Sequence, residues 1–252
     1  MNLILLAPHE VARDGTARLT GRRAAHLRHV LRVQVGACVR VGVARGGRGT
    51  GTVRHVAKDE VLLATHLDPT PPVRPSIDLV LAIPRPKVLS RVLQTVASMG
   101  VGSVTLVNAW RVDKSYFDSK RLGNARLNED LWVGCEQGAT TWIPEIRVVR
   151  LLGDLFAELA RPEAGRGALR VVAHPYGSEP LTQVVPVGVQ ERLVAAIGPE
   201  GGWVQRELDS FAELGFRRAS LGSALLRVEV AVPVALAQLD LLRRLDGSVD
   251  TD

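Results

Sequence analysis

Three stretches of the chain hold residue types whose spacing could do chemistry. The first is residues 197–203, Ile-Gly-Pro-Glu-Gly-Gly-Trp. An apolar run, 193–197, leads into it, and a helix-patterned run, 205–214, leaves it. A strand that ends in a glycine-rich turn and restarts as a helix brings bare backbone up to a ligand. Gly198, Pro199, Glu200, Gly201 and Gly202 therefore read as the floor of a cofactor site. The alternative is a tight turn with no ligand. The second stretch is Ala173-His174-Pro175, which puts His174 at the end of a buried-type strand. The third is residues 221–229, Leu-Gly-Ser-Ala-Leu-Leu-Arg-Val-Glu. It sets a glycine turn and two charges, Arg227 and Glu229, beside a strongly apolar helix. Charges so placed are costly unless paired or used. They either form an ion pair that caps the helix or act on a substrate.

Other chemistries are disfavoured. The chain has no Walker-type Gly-Lys-Ser/Thr loop, no His-Glu-x-x-His or paired-cysteine set and no Gly-x-Ser-x-Gly elbow. ATP use and a zinc site are therefore not expected. The glycine loop comes near the chain's end and not after its first α/β strand, unlike a conventional NAD enzyme.

The elements that must position these stretches follow from hydrophobic periodicity. After residue 76, strands are predicted over 77–83, 104–107, 169–173 and 193–197. Helices are predicted over 88–99, 127–137, 151–160, 205–214 and 230–245. Buried strands alternating with helices point to an α/β fold with a mostly parallel sheet. In such sheets ligands lie beyond the carboxyl ends of the strands, where the three stretches would meet. A tail over 246–252 is expected to be disordered.

The front of the chain reads differently. Short strands are predicted at 39–43, 49–56 and 60–64, with a hairpin-like turn over 45–49. One helix, 20–31, interrupts them, with Thr20 as its cap. Together these suggest a small β-barrel domain over 1–70, joined by the proline-rich connector 68–75 to an α/β domain over 76–252. Residues 1–76 hold 12 Lys+Arg against 5 Asp+Glu, and residues 77–252 hold 20 against 21. The positive excess therefore sits in the small domain, which suggests a polyanion held there. Arg22, Arg23, His26, Arg28 and Arg32 could track a phosphate backbone; the alternative is a solvated helix face.

No apolar run approaches the length needed to cross a bilayer, and the start is too short for a signal peptide. Two distant cysteines, Cys38 and Cys135, fit a reducing, cytoplasmic setting.

Residues 197–203 together with 221–231 resemble the two C-terminal signatures of the SPOUT methyltransferases, and more narrowly the 16S ribosomal RNA uridine N3-methyltransferase family. Residues 26–32 (His-Leu-Arg-His-Val-Leu-Arg), 94–101, Glu136-Gln137 and Pro144-Glu145-Ile146 agree with it. The chain departs at Thr140, at Ala224 and at Val228-Glu229-Val230, so it resembles a variant branch. The resemblance implies a PUA-like barrel, then a trefoil-knotted SPOUT-type α/β domain, and a homodimer with the site at the subunit interface. It implies S-adenosyl-L-methionine held by His174, by the 197–202 loop and by Leu221, Gly222, Ser223, Leu225 and Leu226. It implies no metal, and ribosomal RNA of the small subunit as substrate. Glu229 would accept the uridine N3 proton, and Arg227 would steady the anionic uracil or its phosphate. Two alternatives are a knotted methyltransferase for another ribosomal or transfer RNA site, and a non-catalytic RNA-binding protein with this fold.

Overall fold

A computed structural model describes residues 2–161 and 167–245. The tail expected to be disordered, 246–252, lies outside the described residues. The chain divides into two compact units. The first comprises residues 1–74 together with 132–143, and the second residues 75–131 and 144–252.

In the first unit, β1 (Ile4–Leu6) is apolar and buried throughout, and apolar and polar residues largely alternate along β2 (Thr16–Thr20), β3 (Cys38–Val43), β4 (Arg48–Val56) and β5 (Glu60–Leu67). Side chains on alternate sides of a pleated strand give one buried face. Here that face is built from Leu6, Leu19, Val41, Val53, Val61 and Leu63. The sheet order is β1-β3-β4-β5-β2; β1 runs parallel to β3, and the other pairs are antiparallel. The single helix expected over 20–31 is instead α1 (Gly21–Ala25) followed by a wider π-type turn, His26–Val30. Thr20 occupies the cap position with extended backbone but makes no side-chain capping bond. Arg22 and Arg23 lie where the helix dipole disfavours cations. The chain must also turn back sharply, with Arg32 at φ +50° and the Val33 amide bonded to the Leu27 carbonyl.

The end of α3 (Asn124–Gly138) and the loop after it complete this unit. The Glu136 carbonyl accepts the Asn2 and Leu3 amides at 3.0 and 3.1 Å. The Thr141 hydroxyl donates to the Gly46 carbonyl at 2.7 Å.

The second unit holds seven strands: β6 (Ile77–Ala82), β7 (Ser103–Val107), β8 (Glu145–Val149), β9 (Ala168–Ala173), β10 (Glu179–Pro180), β11 (Arg192–Ile197) and β12 (Phe216–Ser220). All pair in parallel, in the order β10-β12-β9-β11-β6-β7-β8. A central parallel strand is covered on both faces and so is apolar throughout; all six residues of β6 are buried. Its one charge, Asp78, is paired with Arg192 and accepts from the Ser103 hydroxyl at 2.7 Å.

Helix α2 (Pro86–Ser98) opens with proline at its first position, where no intrahelical N–H is needed. It buries Leu89, Val92, Leu93 and Val96 and contacts α7 (Val228–Arg244). The remaining helices are α4 (Leu152–Leu159), α5 (Leu181–Val184) and α6 (Gln205–Glu213).

Candidate functional site

The strand order makes β9 the neighbour of both β12 and β11. The loops leaving the carboxyl ends of these three strands therefore emerge side by side. They enclose a cavity of about 340 Å³, within the size range of small-molecule sites.

The first loop brings His174, whose amide donates to the Ala219 carbonyl at 3.0 Å. Its imidazole Nδ1 is buried without a hydrogen-bond partner. Burial, then the positive charges of Arg218 and Arg111, hold the His174 pKa below the ordinary imidazole value. It is therefore neutral at pH 7.

The second loop turns at Gly202, whose amide bonds the Pro199 carbonyl at 2.7 Å and whose φ of +70° suits glycine. Three contacts fix its shape. Glu200 Oε1 accepts the Arg85 amide at 3.0 Å, at the start of α2. The Gly201 carbonyl accepts the Arg111 guanidinium at 2.5 Å. Trp203, 2% exposed, packs edge-on against Phe211, which in turn meets Phe156 and Phe216, each at 4.9 Å between ring centres. The Trp203 ring lies directly behind Gly198, and its Nε1–H is buried with no partner. The buried Glu207 then accepts the Val204 and Trp110 amides, both at 2.8 Å, tying the loop after β7 to the start of α6.

The third loop leaves β12 through Gly222, at φ +146°. The Leu221 carbonyl accepts from Gln238 of α7 at 3.1 Å. The amides of Leu225 and Leu226 have no partner among the described residues. Leu221, Leu225, Leu226, Val228 and Ala231 give the cavity an apolar flank.

Of the residues singled out in the sequence, the cavity wall contains His174, Ile197, Gly198, Pro199, Glu200, Gly201, Gly202, Leu221, Gly222, Leu225 and Leu226. Ser223, Arg227 and Glu229 are not in the wall. Arg227 is the residue preceding α7, and Glu229 lies in its first turn, on either side of the wall residue Val228. No Arg227–Glu229 ion pair forms. Sequence reasoning missed Arg111 and Tyr176, both in the wall. The available signal for Arg111 was its place just past a strand end, on the same edge of the sheet.

In the first unit, the Arg22 guanidinium binds the buried Glu136 carboxylate at 2.5 Å, and Arg23 binds Glu10 and the Leu5 carbonyl. Both cations are thus engaged within the unit. Burial, only partly offset by Arg22, pushes the Glu136 pKa up. His26 is half-buried with an unpartnered Nε2, and burial lowers its pKa. Arg28 and Arg32 form no ion pair among the described residues. The Cys135 thiol is pushed up to about 12 by burial beside Glu136. Among the described residues no cluster of His, Cys, Asp or Glu could hold a metal ion. No described helix is long and apolar enough to cross a membrane.

An all-parallel sheet with a glycine-lined cavity beyond neighbouring strand ends places the second unit among α/β proteins that bind a small molecule at the sheet edge. The comparisons with known proteins sharpen this. The RNA methyltransferase domain family matches residues 71–240, and the chain belongs to that family. It is 29% identical over 242 residues to the ribosomal RNA small subunit methyltransferase E of Treponema pallidum, covering 94% of this chain and 90% of that one. Its fold matches a ribosomal RNA small subunit methyltransferase E from Neisseria gonorrhoeae, solved bound to S-adenosyl methionine, with a TM-score of 0.78. That match has 24% identity and covers 96% of this chain and 98% of the other. A Legionella pneumophila protein solved with the bound cofactor SAM matches with a TM-score of 0.75 and 26% identity, covering 95% and 96%.

Proposed function

We propose that the protein transfers a methyl group from S-adenosyl-L-methionine to N3 of a uridine in 16S ribosomal RNA. The observation that carries this is the cavity where three strand ends meet, with its unpartnered polar atoms. The His174 imidazole Nδ1 and the Trp203 indole N–H are buried without partners in residues that line a wall otherwise rich in apolar side chains. Buried polar groups without partners are costly. A ligand with an apolar ring system and polar edges would satisfy them, which is the chemistry of an adenosyl group. The names of the Treponema and Neisseria relatives support ribosomal RNA as substrate, and the bound molecules of the Neisseria and Legionella proteins support the donor.

The donor supplies an already activated methyl on a sulfonium. The chain's residues must align the acceptor in line with it and exclude water. The neutral His174 adds no positive charge beside a cationic donor. The apolar flank of Leu221, Leu225, Leu226 and Val228 would receive the adenine. Uridine N3 carries a proton that must leave at or before attack. Glu229 would accept it and Arg227 would steady the anionic base, both acting from the rim. The target uridine must be unpaired or flipped out to be reached. Arg28 and Arg32, with no ion pairs of their own, would hold flanking phosphates; Arg22, Arg23 and His26 would instead shape that surface.

This reading includes a SPOUT-type trefoil-knotted second unit, a PUA-like first unit, a homodimer and a cytoplasmic setting. Mapping methylated uridines in ribosomal RNA from a deletion strain tests it. Loss of one N3-methyluridine from the small-subunit RNA is expected; an unchanged small-subunit RNA would refute the substrate.

A further inference from the structure

The chain has ten Phe, Tyr and Trp residues. Eight are buried or half-buried, and only two stand open to solvent: Trp110 at 81% and Tyr176 at 65%. Both lie on loops that reach the same cavity. Tyr176 lines it, and Trp110 precedes the wall residue Arg111. The two are held differently from ordinary surface aromatics. The Trp110 amide donates to the buried Glu207 carboxylate, and the Val112 amide closes a turn onto the Ala109 carbonyl at 3.0 Å. The backbone is thus pinned while the indole projects outward. Tyr176 meets the His174 ring edge-on at 6.1 Å. Two large aromatic faces left in water are unfavourable on their own and suit a flat partner. The surrounding charge identifies that partner. Arg111 and Arg85 are exposed beside the cavity, Arg111 bonded to the Gly201 carbonyl and Arg85 3.9 Å from the Glu200 carboxylate, and the field of Arg111 and Arg218 reaches His174. Flat rings joined by anions are unstacked nucleotides.

We infer that Trp110 and Tyr176 form a stacking platform that takes unpaired bases of the RNA substrate at the mouth of the donor cavity, with Arg111 and Arg85 facing the adjoining phosphates. This rests on RNA being the substrate, as proposed above. It assigns base contacts to the second unit; in the first, the basic run 22–32 contains no Phe, Tyr or Trp.

The test uses the full-length protein and a transcript of small-subunit ribosomal RNA. Tryptophan emission is followed as RNA is added, without methyl donor, for the wild type and for W110A, W110F, Y176A and Y176F. Donor affinity is measured by calorimetry, RNA KM and kcat by methyl transfer, and particle mass by sedimentation. Each alanine variant should raise the RNA Kd and KM about tenfold, with donor affinity unchanged in W110A. The phenylalanine variants should restore RNA binding, and the quench on RNA addition should shrink in W110F. Wild-type RNA affinity in both alanine variants would overturn the inference. So would a changed particle mass with unchanged RNA affinity, which would assign the pair to a subunit contact. A wild type that quenches through Trp110 but transfers no methyl would keep the platform and remove the proposed reaction. Normal transfer and RNA KM in both alanine variants would do the reverse.

Discussion

One added methyl group at residue 198 probes the packing that shapes the donor loop. A Cβ built on Gly198 would lie 3.2 Å from Trp203 Nε1 and 3.3 Å from Cδ1 and Cε2. These are closer than ordinary contact, so the indole must yield by a few tenths of an ångström. It has little room: Trp203 is 2% exposed and wedged on Phe211. Residue 198 has no left-handed φ, so the cost of Gly198→Ala is steric and not conformational. Overpacking of this kind costs about 1–3 kcal/mol. For a chain of this size that lowers Tm by about 2–12 °C. If the loop yields and not the ring, Gly198 moves into the cavity and donor affinity falls about tenfold or more. Trp203→Phe offers a smaller ring and removes the unpartnered N–H. The double variant should therefore recover part of the loss, with a coupling of about 0.5–3 kcal/mol. Thermal unfolding and donor calorimetry on the two single variants and the double give the cycle. Gly202→Ala is the contrasting control: nothing lies within 4 Å of its Cβ, and its φ of +70° makes the cost purely one of backbone. Trp203→Phe should leave that cost untouched. A Gly198→Ala protein with wild-type Tm and donor affinity, or one whose loss Trp203→Phe does not relieve, would refute the packing account.

Three further outcomes are expected. The lowered His174 pKa means that the folded state binds its proton more weakly than the unfolded chain. Its contribution to stability is present above pH 6.5 and lost as pH falls through the folded value, and donor affinity should fall with it; His174→Gln should flatten a calorimetric pH series. Glu136 works in the opposite sense, because burial raises its pKa despite Arg22. Its contribution is full below about pH 4.5 and lost as pH rises through the folded value, so Glu136→Gln should melt no lower than wild type at pH 7 and show a flatter Tm–pH curve; a clear fall in Tm there would mean that the ion pair outweighs burial. Glu229→Gln should bind donor normally and transfer methyl about 10²–10⁴-fold more slowly, and wild-type turnover would remove Glu229 from the mechanism.

The parts of this molecule legible in its sequence are those with strong local patterns. The run 193–197 is apolar because β11 is covered on both faces, and the glycine turn after it stands out for the same reason. Helix α2 was legible from its apolar stripe and from Gly100 beyond it. Strand β12 was not, because Phe-Arg-Arg-Ala-Ser carries two arginines that the fold engages with Glu179 and Asp209. The order β12-β9-β11, which brings the three loops together, leaves no mark in any one segment: parallel neighbours are set by crossovers. The same holds for residues 132–143, whose place beside β1 depends on the Glu136 carbonyl meeting the Asn2 and Leu3 amides. The basic run at 22–32 was legible as charge. Two of its arginines turn inward to Glu10 and Glu136, carboxylates 13 and 114 residues away along the chain, which charge counting does not anticipate.

Calorimetric titration of the purified full-length protein with S-adenosyl-L-methionine is the most direct measurement. Saturable binding at one site per chain, weakened in Gly198→Ala and as pH falls through the lowered His174 value, is expected. An absence of binding heat across several temperatures, with the protein folded, would contradict the assignment of this cavity to a methyl donor.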